Sequence, residues 1–218
     1  MKRREFSIHL VGSGLGLAAL AGGASPASAQ GSPVEGKDYV RLSQPARVSA
    51  PTGKIDMIEF FWYGCPHCNA FEPMLDAWSR KLPADVAFRR VPVGFTALHM
   101  THAKVFYALD AMGKVEAMHR KVFAAIHVQG LRMDKEPELV TFMNANGVDG
   151  AKFAELFKSF SVQTKAQQGK QLSEDYKIDG VPALGIHGRY YTEGSLAGTN
   201  ERALAVSEYL IQRSRTGA

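Results

Sequence analysis

The stretch Met57-Ile58-Glu59-Phe60-Phe61-Trp62-Tyr63-Gly64-Cys65-Pro66-His67-Cys68 constrains the fold more than any other part of the chain. A β-prone apolar run ends at a glycine, and two cysteines three positions apart follow at once. Phe71, Leu75, Trp78 and Leu82 then recur at helical spacing. The pattern predicts strand, tight turn and helix, with Cys65 and Cys68 in the first helical turn. Strand alternation points Phe60 and Trp62 one way and Met57, Glu59 and Phe61 the other. These are the only two cysteines among 218 residues.

The flanking segments extend this unit. Val86 to Val93 reads as a second core strand, so strand, helix and strand form a βαβ unit with parallel strands. Tyr39 to Leu42 alternates and suits a short edge strand. From Ala97 to Ser173 only helical patterns follow: His102 to Met112, Val115 to Val128, Glu138 to Asn144, Ala151 to Phe160 behind an Asp149 cap, and Val162 to Tyr176. Strand character returns at Val181 to Ile186. A turn at His187-Gly188-Arg189 leads to Tyr190-Tyr191-Thr192 as a hairpin partner, and a last helix runs from Glu201 to about Gln212 behind Thr199 or Asn200. The expected class is α/β: βαβ and ββα halves with an all-helical module inserted, at residues 30–96 and 174–218 around 97–173.

Residues 1–29 read as a cleaved export signal. Lys2, Arg3 and Arg4 precede an uncharged apolar stretch, and Ala27-Ser28-Ala29 is a small-residue cleavage signal. Arg3-Arg4-Glu5-Phe6 resembles a twin-arginine signal, and an ordinary Sec signal holding two arginines fits as well. Either route delivers the mature chain to an oxidising compartment, the periplasm. Lys2, Arg3, Arg4 and Glu5 carry +2 of the net +5, and no basic run stands out in the remainder, which argues against nucleic acid as a partner.

Two thiols at this spacing on a first helical turn can close a disulfide. Cys65 would sit among unpaired backbone N–H groups at the positive end of a helix dipole, which lowers a thiol pKa and favours the reactive thiolate. Cys68, one turn in, should be more buried and act as the resolving thiol. Other readings of the pair remain: half of a zinc site, with His99 and His102 as remaining ligands, or a plain structural disulfide. No second cysteine pair supports zinc, and His-x-x-His near a helix start is ordinarily a solvated face. So short a loop restrains little chain entropy.

Cys65-Pro66-His67-Cys68 on this strand and helix resembles the active site of the DsbA family, periplasmic thiol:disulfide oxidoreductases with a thioredoxin fold. Glu59-Phe60-Phe61, Phe71-Glu72, the helical insertion and Val181-Pro182 match that family's surroundings and architecture, and Pro73 resembles the helix-kinking proline of thioredoxins. The resemblance implies a redox-active Cys65–Cys68 disulfide, a buried acid at Glu59 that helps move the Cys68 proton, and a cis-proline at Pro182 beside which Val181 offers backbone to a peptide. His67 would favour the Cys65 thiolate, and Pro66 suits the first helical position, where its missing N–H costs nothing. A solvent-facing His67, a Glu59 reaching solvent at a strand end, and a Pro182 that merely starts a strand are the plainer alternatives.

Together these readings predict a dithiol oxidase that donates its disulfide to reduced exported polypeptides. The family implies reoxidation by a DsbB-like membrane quinone reductase. A monomer without cofactor or metal is expected, since the lead-in before Tyr39 is too short for the dimerisation domain of DsbC-like isomerases. A periplasmic reductase or isomerase is the alternative within the same chemistry. A peptide-binding chaperone without redox activity is the alternative outside it.

Overall fold

The computed structural model describes residues 31–217, so the export signal lies outside the described residues. Five strands form one mixed sheet: β1 (Val40–Arg41), β2 (Ile55–Phe61), β3 (Val86–Pro92), β4 (Ala183–Ile186) and β5 (Tyr190–Glu193), in the order β1-β5-β4-β2-β3. β2 pairs parallel with β3, from Ile55 opposite Val86 to Phe61 opposite Pro92, and antiparallel with β4 on its other side. Helix α1 (Pro66–Ser79) makes the crossover from β2 to β3, the βαβ unit expected from the sequence. β4 and β5 form the hairpin, and β1 closes the far edge against β5.

Every residue of β2 is buried, as a central strand covered on both faces requires. Alternation divides its side chains. Met57 packs with Phe71 and Leu75 of α1 and with Leu204, Val206, Leu210 and Ile211 of the last helix, α8 (Asn200–Arg215). Ile58 and Phe60, on the other face, meet Val91, Ala183, Leu172 and Tyr176 at the end of α6 (Phe160–Asp175). Between β3 and β4 the chain is helical throughout: α2 (Ala97–Ala111), α3 (Val115–His127), α4 (Glu136–Ala145), α5 (Gly150–Lys158) and α6. Val105, Phe106, Leu109, Met118, Val122, Phe123, Phe142, Met143 and Phe153 from this block build one core cluster that also contains Phe61, Tyr63, Cys65 and Cys68. The architecture is a thioredoxin-like fold with an inserted all-helical domain.

Element boundaries depart from the sequence reading where capping decides them. α2 starts at Ala97, five residues early, because Thr96 caps it by accepting from the His99 N–H. Phe160 opens α6 instead of closing α5: Ser159 ends α5 and accepts from the Val162 N–H. Asp149 caps α5 as expected, accepting from Lys152 N. β4 begins at Ala183 and not at Val181, since Pro182 has no N–H to give a ladder. A short helix α7 (Gly194–Ala197) between β5 and α8 carried no periodicity to reveal it. No described helix is long and apolar enough to cross a membrane.

Candidate active site

The end of β2 delivers the cysteines to the start of α1. Cys65 is the N-cap, with extended backbone, and its Sγ accepts from the Cys68 N–H at 3.3 Å. A sulfur thus stands where a capping serine or aspartate oxygen ordinarily would. Pro66 follows as the first helical residue, and Pro73 lies inside the helix. The turn before the cap is tight: Cys65 N–H donates to Trp62 O at 3.0 Å, and a Cβ on Gly64 would stand 2.3 Å from the Trp62 ring. Only glycine fits there.

Both cysteines are free thiols and both are buried, Cys65 at 6% and Cys68 at 0% exposure. Their environments push them apart. The hydrogen bond from the Cys68 side chain brings the Cys65 thiol down to about 6, the backbone N–H groups of Cys68 and His67 and the His67 charge assist, and partial burial opposes. Cys68 is driven strongly upward by burial first, then by its bond to Cys65 and by the Cys65 and Glu59 charges. A ready thiolate therefore sits beside a thiol that holds its proton. His67 and Pro66 are exposed at the mouth of the site. His67 thus faces solvent, and its charge is the smallest of the influences that lower the Cys65 thiol.

Val181 closes the site from the other side. Its peptide bond to Pro182 is cis, and its carbonyl oxygen lies 3.3 Å from Cys65 Sγ, which donates to it as a thiol. His67, Val181 and Pro182 share the wall of a cavity of about 480 Å³ with Asp179, Glu193 and Asn200.

Glu59 is fully buried, so the reading in which it reaches solvent is excluded. It faces Arg90, its register partner on β3. The two sit 3.0 Å apart at Oε2 and Nε, but Arg90 aims its fork at Glu72, with Nε to Oε1 at 3.0 Å and Nη2 to Oε2 at 3.1 Å. Neither Glu59 oxygen has a hydrogen-bond partner. Burial first, and the Glu72 charge second, push the Glu59 carboxyl up to about 8 against the pull of Arg90. Glu72 goes the other way: burial would raise it, but the hydrogen bond from His119 and the Arg90 charge hold it below its ordinary value. Glu59, Glu72 and His119 bring their ligating atoms within 4.8 Å of one another. The two carboxylates share the Arg90 guanidinium, and His119 bonds Glu72.

Glu72 entered the sequence reading only as part of a match, and Arg90, His119 and Tyr63 were missed. A signal existed for two of them. Glu72 falls on the buried face of α1 with Cys68, Phe71 and Leu75, and His119 falls on the apolar face of α3 with Val122 and Phe123. A polar group on an apolar helical stripe asks for a partner. His99 and His102 correct an expectation. They do not form a solvated face: His102 is buried with Nε2 on Arg132 O at 3.0 Å, and His99 stacks on the Trp62 ring at 4.1 Å. The apolar ring of Trp62 recruits both.

A low-pKa thiol capping a helix, a masked partner thiol one turn on and a cis-proline carbonyl against the first define a dithiol–disulfide exchange protein of the thioredoxin class. Residues 56–204 match the family model described as DSBA-like thioredoxin domain. The thiol:disulfide interchange protein DsbA of Pseudomonas aeruginosa is 41% identical over 183 residues, which are 84% of this chain and 86% of that protein. Its namesake from Burkholderia cepacia is 41% identical over 91% of this chain and 92% of its own. The crystal structure of Pseudomonas aeruginosa DsbA superposes with a TM-score of 0.80 at 41% identity, covering 84% of this chain and 94% of that one. DsbA from Xylella fastidiosa gives 0.79 at 30% identity, with coverages of 84% and 98%. The chain belongs to the DsbA family of thiol:disulfide oxidoreductases.

Proposed function

We propose that this protein oxidises reduced exported polypeptides in the periplasm by handing them a Cys65–Cys68 disulfide. A substrate thiolate attacks Cys65 Sγ, the S–S bond breaks, and Cys68 leaves with the electron pair. A second substrate thiolate then attacks the substrate sulfur of the mixed disulfide and releases Cys65 as a thiolate. The substrate loses two electrons and the protein gains them. A DsbB-like membrane quinone reductase restores the disulfide.

The observation that carries this reading is the contrast between the two thiols. A well-stabilised Cys65 thiolate is a good leaving group and makes the reduced protein the favoured form, which is what a disulfide donor needs. His67 adds to that stabilisation, and Pro66 starts the helix that supplies it. Glu59 gives its proton to Cys68 as the latter leaves. The Val181 backbone, already against Cys65 Sγ, holds the extended substrate, with Pro182 fixing its place. Residues 97–173 serve as the inserted domain that covers the dithiol, and residues 30–96 with 174–218 as the redox domain.

Oxidation of a reduced, unfolded model protein tests the reading. The oxidised chain restores disulfides stoichiometrically. Cys68→Ser, which has no disulfide to give, restores none and instead traps a mixed disulfide through Cys65 when offered a disulfide-bonded substrate, and Cys65→Ser is inert. Suppression of substrate aggregation that survives in Cys65→Ser, with no disulfide formed even by the wild type, would instead indicate a peptide-binding chaperone.

A further inference from the structure

Two carboxylates and one guanidinium are buried together beneath the cysteines, and their charges do not balance. Glu59 on β2, Glu72 on α1 and Arg90 on β3 meet on the α1 side of the sheet. Keeping two buried anions against one cation is costly, so the cluster holds one proton. Its position matters, because Glu59 is the carboxylate whose charge acts on Cys68.

Hydrogen bonds decide that position. Glu72 receives both prongs of Arg90 and also lies 2.9 Å from His119 Nε2. Glu59 has only the Arg90 Nε, 3.0 Å from its Oε2, as an ion-pair contact without hydrogen-bond alignment. The other ring nitrogen of His119, Nδ1, lies 2.9 Å from the Tyr63 hydroxyl. A two-pronged guanidinium favours an ionised Glu72, which can only accept from His119. The imidazole then carries its hydrogen on Nε2, and Tyr63 donates to Nδ1. Burial holds the His119 pKa below its ordinary value, so the ring acts as a neutral donor. The charged and titratable groups that interact with Glu59 are therefore Glu72 and Cys68 of α1, Cys65 at its cap and Arg90 of β3, with Tyr63 and His119 behind them.

The geometry points to His119 as a positioning residue: its Nε2–H bond to Glu72, with the Arg90 fork, keeps the shared proton on Glu59, ready for Cys68. This rests on the exchange proposed above. When substrate sulfur bonds to Cys65 and the Cys65–Cys68 bond breaks, the Glu59 proton passes to the departing Cys68 sulfur and Glu59 becomes the carboxylate. Without the His119 donor, Glu72 keeps the proton and Arg90 turns to Glu59. The leaving thiolate then finds no acid. Because His119 lies on α3, the inserted helical domain sets the protonation of a strand residue in the redox domain.

Stopped-flow reduction of the oxidised protein by dithiothreitol, expressed per dithiothreitol thiolate and followed from acidic to alkaline pH, tests this. Wild type should slow by roughly tenfold or more as Glu59 ionises. His119→Phe should be slow and flat, while His119→Gln, which keeps an amide donor toward Glu72, should recover the wild-type profile. Glu59→Gln should be slow and flat in every background. Nitrogen-15 spectra of wild type supply a check that needs no variant: the Nε2–H tautomer supports the assignment and the Nδ1–H tautomer overturns it. A wild-type profile in His119→Phe, with Glu59→Gln flat, would overturn the role of His119 alone. A wild-type profile in Glu59→Gln would instead remove Glu59 from the proposed mechanism.

Discussion

At the scale of single residues, the chemistry turns on how differently two identical side chains are treated three positions apart. Cys65 has its sulfur where a helix cap accepts hydrogen bonds, whereas Cys68 has its sulfur inside the core. His67 stands at the mouth of the site and adds a charge that favours the Cys65 thiolate. His67→Ala should therefore raise the Cys65 pKa and shift the glutathione equilibrium three- to tenfold toward the oxidised protein, about half to one pKa unit. Thiolate absorbance against pH and redox titration read the two effects. An unchanged equilibrium would remove His67 from the account. Much of this was legible in the sequence, because a Cys-x-x-Cys pair at a strand-to-helix junction dictates which thiol caps and which is buried. The Glu72–Arg90–His119 arrangement was not, because it depends on three elements meeting and no local spacing encodes that.

At the scale of elements, the turn from β2 into α1 is held by contacts that leave little freedom. Trp62 lies across Gly64 and stacks on His99 of α2, and Tyr63 is tied to α3 twice, through its hydroxyl to His119 and through its carbonyl oxygen, which accepts from His127 Nε2 at 2.8 Å. Gly64→Ala must push the Trp62 ring aside, an overpacking that should cost about 1–3 kcal/mol. Urea denaturation measures that cost. A wild-type midpoint would show that the ring moves freely. Strands and long helices followed from their periodicities. The departures fell at helix starts, where one capping side chain such as Thr96 or Ser159 outweighs the apolar pattern, at the start of β4 and at α7.

At the scale of the whole molecule, the site couples redox state to folding. In the reduced protein the Cys68 hydrogen bond brings the Cys65 thiol down to about 6, so the thiolate contributes stability that is full above the unfolded thiol's pKa and is lost as pH falls through that lowered value. The contribution is at most ~4 kcal/mol, and nearer ~2 kcal/mol after screening by solvent at a half-open site. Cys68 acts in the opposite sense: its raised pKa costs stability only once pH exceeds the unfolded thiol's value. The reduced form should thus melt above the oxidised form near neutral pH, with the gap narrowing as pH falls through 6. Calorimetry of both forms across pH checks this, and a gap that is reversed or independent of pH would contradict it. The two-part architecture was readable because strand signals vanish between Val93 and Val181 and then return. The sequence did not reveal that the inserted helices reach back to clamp the active-site turn.

The central claim is that the Cys65–Cys68 pair is a disulfide donor, and its reduction potential tests this most directly. Equilibration with glutathione at neutral pH should place it on the oxidising side of about −180 mV, where the reduced pair is the favoured form. A potential near the roughly −270 mV of thioredoxin-like reductants would contradict the account and make this protein a reductant.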